Sequence, residues 1–299
     1  SIPAAVVMSK ADSLPTAITA ALVLGFALGM YLPLGMGLIV DMGRGGRGPA
    51  YMSVHELAAT LASFIGSAAV ALLLAWTDWH GSILAWCVVG VLATVAFVAV
   101  RDPEGDRRHV EKVREHVPVD FRLFCAVFSY GIGTMLVMGL VSMLALIMVR
   151  AQGLDQVHAA SVLGYTRLAG LLGVVAVALL ADRLGHVRVL MGLQMVALAG
   201  LVLMSLDGFG LVFVAGVVLL AVGASGNITL NPVVIAEAFP SGQRERVMAY
   251  ATGPGALLGT VVAPALFGVM LDAGLSTGPV LFAAGATLVA IFLTGRIAR

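Results

Sequence analysis

Charge is scarce along this chain. Lys, Arg, Asp and Glu make up 11% of its 299 residues, against 60% hydrophobic ones, and the mean hydropathy is +1.04. A soluble domain carries about a quarter charged residues, so an ordinary soluble fold is excluded. Net charge is also nearly absent, at +1, and no basic patch invites nucleic acid. Cysteine is reduced to Cys87 and Cys125. Both lie in or near apolar runs, which argues against a disulfide framework and a metal site. No basic n-region precedes the first apolar residues, so no secretory signal is visible. The Gly-x4-Gly-Lys-[Ser/Thr] loop that cradles nucleotide phosphates does not occur. His55-Glu56 lacks the second His of a zinc-protease helix. No cofactor and no enzymatic reaction are expected.

What the chain has is apolar length. Runs cover residues 14–40, 51–75, 82–100, 121–149, 159–181, 189–206, 209–236, 248–271 and 279–293. Each is long enough, or nearly so, to cross a hydrocarbon core of roughly 30 Å as a helix. Fourteen of the seventeen Lys and Arg residues fall in every second gap between runs. Those gaps hold Arg44 and Arg47, then Arg101, Arg107, Arg108, Lys112, Arg114 and Arg122, then Arg183 and Arg188, Arg244 and Arg246, and Arg296 and Arg299. The alternate gaps hold only Lys10 and Arg150. Cationic loops stay on the cytoplasmic side. The expected fold is an all-α integral membrane protein, a multi-span helical bundle of about nine transmembrane helices. Its C-terminus is expected in the cytoplasm, in the cell (inner) membrane.

The longest polar stretch, 101–120, divides the chain. It separates residues 1–100, three spans plus the tail of another, from residues 121–299, a six-helix half-bundle. Two loops on the cationic side resemble each other. Asp41 and Glu237 each end a run, Gly46 and Gly242 follow five residues later, and Met52 and Met248 follow eleven residues later. Transporters often contain internal repeats. This repeat pairs the first three runs with the last three, and makes residues 1–10 the end of a helix that begins before residue 1.

The segment Ala181-Asp182-Arg183-Leu184-Gly185-His186-Val187-Arg188 resembles the cytoplasmic signature of the major facilitator superfamily, Gly-x-Leu-Ala-Asp-Arg-x-Gly-Arg-[Lys/Arg]. Asp182, Arg183 and Gly185 match it. Ala178 replaces the opening Gly, and His186 stands where Arg is usual. The resemblance covers the whole chain as spans four to twelve of a twelve-span pattern, with the first three spans absent. It implies secondary transport by alternating access, in which two halves rock about a central site. It also implies that Asp182, Arg183 and Gly185 gate the cytoplasmic side. Two features of proton-coupled drug exporters in this superfamily are missing. The helix around residues 62–68 has no Gly-Pro pair, and Ala21 occupies the place of an Arg four residues before Gly25.

The sharpest candidate residue is Arg167, the one cation well inside a run and not at its edge. It lies fifteen residues before Asp182, about 22 Å along a helix. A buried Arg in a membrane is costly and turns to a cavity or a partner. Its fork suits an anionic group, although a structural Arg bound to carbonyls explains the position too. Asn227 and Asn231 share one helix face before Pro232; substrate contact and interhelical bonding both account for them. Tyr31 falls on a run that lines the cavity in the family. His55 and Glu56 form either a proton relay or an interfacial pair facing water. Gly25, Gly29, Gly35, Gly37, Gly253, Gly255 and Gly259 are expected at close helix crossings.

Gly223-Ala224-Ser225-Gly226 resembles the nucleophile segment of rhomboid proteases. Those need a later His, and the last His here is His186, so that pairing cannot form. The reading is a secondary transporter for a small polar, anionic solute, with lipid around it and a proton or sodium as coupling ion. Arg167, Asn227, Asn231 and Tyr31 are the expected substrate residues. The alternative is a transport-inactive truncated protein acting as sensor, scaffold or remnant.

Overall fold

The structure, a computed structural model, describes residues 2–29, 76–99, 117–154, 156–206, 210–240 and 242–297, and isolated positions between 50 and 73. Every regular element among the described residues is helical. Two compact units separate: residues 1–34 with 62–114, and residues 35–61 with 115–299.

The first unit contains α1 (Ile2–Met8), α2 (Leu14–Gly29) and α3 (Trp79–Ala99). Helix α1 packs against both others. Ser13 opens α2, and its hydroxyl accepts from the Thr16 backbone N–H at 3.4 Å. Pro15 sits in that first turn, where a missing N–H costs nothing. Asp78 opens α3 by accepting from the Gly81 N–H at 2.8 Å and meeting His80 Nδ1 at 3.0 Å. The Gly81 N–H, and after it His80, hold this carboxyl below its ordinary range. The remainder of α3 is apolar on all sides, and Val88, Leu92 and Val95 are exposed. Such an all-round apolar helix belongs in lipid or in a larger core.

The second unit is a six-helix bundle. Its elements are α4 (Phe121–Thr134), a π-helical turn (Met135–Leu140) and α5 (Val141–Gln152), then α6 (Gln156–Leu184), α7 (His186–Leu206) and α8 (Leu211–Ala238). There follow α9 (Arg244–Leu257), a second π-helical turn (Leu258–Val262), α10 (Ala263–Asp272) and α11 (Gly278–Ile297). Asp120 caps α4, accepting from the Leu123 N–H at 2.9 Å, as short acidic side chains do at helix starts. Gly153, Gly185 and Gly274 take positive φ at the ends of α5, α6 and α10, the left-handed position that stops a helix.

Six helices among the described residues are long and apolar enough to cross a membrane: Phe121–Arg150, Val162–Leu184, His186–Leu206, Leu211–Ala238, Arg246–Asp272 and Gly278–Ile297. They coincide with the last six apolar runs. The first and third runs appear as shorter apolar helices, Leu14–Phe26 and His80–Ala96. The second run lies largely outside the described residues, so the number established is six.

Backbone proximity holds this bundle together, because lipid removes the hydrophobic drive between helices. Helices α7 and α8 cross at Gly200 and Gly216. A Cβ on Gly200 would lie 2.5 Å from the Gly216 carbonyl, and one on Gly216 would lie 2.7 Å from the Gly200 carbonyl. The two π-helical turns pack on each other, and a Cβ on Gly259 would lie 2.5 Å from the Met135 nitrogen. Pro264 follows the second π turn; its missing N–H breaks the regular ladder there. Gly255 also lies at this crossing, whereas Gly25 and Gly253 have open space around them.

Candidate functional site

Helix α6 buries a stripe of small and branched residues, Thr166, Gly170, Gly173, Val174, Val177 and Ala181. Their spacing is that of one helix face, and this face meets α8. Arg167 stands one residue off the stripe, half-buried. Among the described residues no hydrogen bond or ion pair reaches its guanidinium. The neighbouring Thr166 turns its hydroxyl to the Val162 carbonyl at 2.7 Å and does not compensate it.

Asn227 and Asn231 are placed differently. Both are fully buried in α8. The Asn231 amide donates to the Ser129 carbonyl at 3.2 Å, to Ser129 Oγ at 3.0 Å and to Asn227 Oδ1 at 3.1 Å. Ser129 Oγ meets Thr294 Oγ1 at 3.2 Å, and Gln194 Nε2 donates to Thr294 Oγ1 at 3.0 Å. One polar chain therefore runs through α4, α7, α8 and α11, with all five residues at 0% exposure. Three atoms in it, Gln194 Oε1, Asn227 Nδ2 and Asn231 Oδ1, have no protein partner. Ser129, Gln194 and Thr294 escaped the sequence reading. Gln194 carried a usable signal, as the only amide in the run 189–206. Ser and Thr carry little, because their hydroxyls satisfy themselves on the preceding turn.

At the end of the bundle where α6 turns into α7, Gly185 has φ 91° and its N–H closes on the Ala181 carbonyl at 3.0 Å. This reversal presents Asp182 and Arg183 to solvent. It also seats His186 between two acids. His186 Nδ1 lies 2.5 Å from Glu237 Oε2, and Nε2 lies 3.4 Å from Asp182 Oδ1. In the sequence Glu237 stands out only as the acid of the loop repeat. Nearby, Arg122 donates Nε to the Ile297 carbonyl at 3.1 Å and lies over the Phe239 ring, and Arg244 donates Nε to the Phe239 carbonyl at 3.2 Å.

His55 is half-buried in the 50–62 stretch. Its partner Glu56 and the cavity candidate Tyr31 lie outside the described residues. Among the described residues no group of His, Cys, Asp and Glu could hold a metal ion.

A family model described as the Major Facilitator Superfamily matches the chain over residues 1–207 and again over residues 123–297. The crystal structure of the human organic anion transporter MFSD10 (TETRAN) superposes with a TM-score of 0.77 at 17% identity, covering 98% of this chain and 74% of that one. The E. coli fucose:proton symporter FucP gives 0.76 at 13% identity, covering 100% of this chain and 82% of that one. A bacterial homolog of the human lysosomal transporter Spinster, inward-facing and occupied, gives 0.54 at 11%, covering 99% and 78%. At these identities the likeness establishes the fold. No curated protein sequence matches the chain.

Proposed function

The chain belongs to the major facilitator superfamily, and from that membership we propose that it moves a small, polar, anionic solute by alternating access. That it is an integral membrane transport protein and not an enzyme follows from the family itself. The observation that carries the anionic solute is Arg167, a half-buried cation within the spanning helix Val162–Leu184 with no partner among the described residues. An unpaired guanidinium in that setting is costly, and a ligand carboxylate, sulfonate or phosphate supplies the missing acceptor in fork geometry. The similarity to an organic anion transporter supports the same choice.

Asn227 and Asn231 serve this site from behind. Their hydrogen bonds join α8 to α4, and through Thr294 to α7 and α11, which holds rigid the wall against which α6 packs. Tyr31 is retained as a solute contact from the family pattern. Asp182, Arg183 and Gly185, at the reversal between α6 and α7, gate the cytoplasmic side. The coupling ion is a proton, in keeping with the similarity to a proton symporter, and His55 with Glu56 is the relay pair to test. The protein resides in the inner membrane, with the C-terminus and the 101–120 loop in the cytoplasm, because fourteen of the seventeen cations lie on that side.

Uptake into proteoliposomes of matched anionic, neutral and cationic solutes tests the solute class. Anion-selective uptake that is driven by an inward proton gradient and lost in Arg167→Ala is expected. Equal uptake of neutral solutes contradicts the reading. For topology, Gly105→Cys in a cysteine-free background is expected to resist an impermeant label in intact cells, while Thr77→Cys and Ser276→Cys react.

A further inference from the structure

His186 occupies the place where the superfamily signature carries Arg. A permanent cation there would keep its charge at every pH at which the carboxylates are ionised. This chain substitutes a ring that gains and loses a proton. The ring joins three helices. It begins α7, its Nδ1 faces Glu237 at the end of α8, and its Nε2 faces Asp182 in the last turn of α6. The His186 side chain is 18% exposed, against 48% for Glu237 and 46% for Asp182. The acids reach water while the ring is largely enclosed.

Counting protons separates two states. Ionised carboxylates only accept, and a neutral imidazole carries one N–H. The neutral ring therefore donates to one acid and turns a lone pair toward the other. The doubly protonated ring donates to both. The 2.5 Å contact to Glu237 is close, whereas the 3.4 Å contact to Asp182 is at the edge of hydrogen bonding. Asp182 is thus the acid given up when the second proton leaves. Other charged residues on the elements packed there are Arg122 of α4, Arg183 of α6, Arg188 of α7, Arg244, Glu245 and Arg246 of α9, and Arg296 of α11. Arg244 is engaged with the Phe239 carbonyl and Arg296 with the Phe292 ring. Asp182 and Glu237 are the charged groups seen within bonding reach of the ring among the described residues.

We propose that His186 is a proton-operated clasp, binding the α6–α7 reversal to the end of α8 when doubly protonated and freeing Asp182 when neutral. Imidazole changes charge between about pH 5 and 8, so the clasp works across the range a cytoplasm or an acidified compartment presents. It extends the proposed gating role of Asp182: the gate acquires a pH input that an Arg would not give. The sign follows from the proton count. Stabilisation by the clasp is complete at the acid end and declines as pH rises.

The test uses the full chain in lipid nanodiscs and needs no solute, so its outcome is separate from that of the transport reading. Unfolding midpoints are measured from pH 5.5 to 8.5 for wild type, His186→Arg and Glu237→Gln. The wild-type midpoint is expected to fall relative to His186→Arg by about 2 to 4 °C across the range, and the fall is expected to shrink in Glu237→Gln. Ring-nitrogen NMR on 15N-histidine protein, assigned by loss of the signal in His186→Arg, is expected to show two N–H groups at pH 5.5 and one at pH 8.5. Parallel midpoint curves for wild type and His186→Arg overturn the proposal. So does a His186 ring that keeps the same proton count at both ends of the range, a result whose assignment is taken from His186→Gln should His186→Arg fail to fold.

Discussion

Helices α8 and α6 lie side by side in the bundle and treat their polar residues in opposite ways. In α8, Asn227 and Asn231 are wholly buried; Asn231 donates to Asn227 and to Ser129, while Asn227 Nδ2 and Asn231 Oδ1 have no protein partner. In α6, Arg167 is half-buried and without a partner among the described residues. A polar side chain inside a membrane has two ways to recover its desolvation cost, either from neighbouring helices or from something that comes and goes. The asparagines recover part of that cost from neighbouring helices, and the proposed function assigns Arg167 the second course. Under the proposed function, that contrast distinguishes a solute-binding residue from packing residues without reference to which is the more polar.

Replacing Arg167 is the strongest way to break that contrast. Arg167→Lys keeps the charge and loses the fork, and anion uptake is expected to fall about tenfold or more, equivalent to at least about 1.4 kcal/mol. The unfolding midpoint should be nearly unchanged, because no protein partner is lost. A large drop in midpoint with uptake preserved would make Arg167 a structural residue. Asn231→Leu is the reciprocal test. It removes donors to two oxygens of Ser129 and to Asn227 Oδ1. Stranded acceptors cost about 1–3 kcal/mol each, yet interhelical bonds in membranes average only about 0.6 kcal/mol. A net loss of about 2 kcal/mol is expected, read as a lower unfolding midpoint with solute affinity retained in the folded fraction. Weaker affinity with an unchanged midpoint would move Asn231 into the solute site.

The overall architecture was legible because membranes impose it. Apolar length and alternate cationic gaps located the six spans of the second unit within a few residues. Gly185 was readable as a reversal, since only a residue without Cβ takes that φ freely. Asn227 and Asn231 were readable as polar groups in an apolar run, but their use was not. Sequence spacing put them on one face and could not say whether that face meets Ser129 or a solute. The clasp at His186 was hidden for a different reason. Glu237 is fifty-one residues from His186, and only the packing of α7 on α8 brings them together. The glycine crossings were half legible. Gly255 and Gly259 lie at a crossing, but Gly200 and Gly216, which bring α7 and α8 into backbone contact, do not stand out among 36 glycines.

Smaller effects sharpen the comparison at the ends of the bundle. Asp182→Asn is expected to slow the transport cycle severalfold and shift the inward/outward balance, because a contact made in one state biases the equilibrium between states. Affinity in a locked state should barely move; an equal fall in both would place Asp182 at the solute. At the opposite end Arg150 pairs with Asp272, with side chains 50% and 70% exposed. An exposed ion pair contributes about 0–1 kcal/mol. Arg150→Ala is expected to change neither uptake nor the unfolding midpoint measurably, and a clear loss would show that this end is more than a closing turn.

The central claim is that Arg167 binds the negative charge of the solute. Its most direct measurement is equilibrium binding of an anionic solute and its neutral isostere to wild type and Arg167→Gln in nanodiscs. The account predicts that wild type prefers the anion by about tenfold or more and that Arg167→Gln binds the two alike. An undiminished preference for the anion in Arg167→Gln would contradict it.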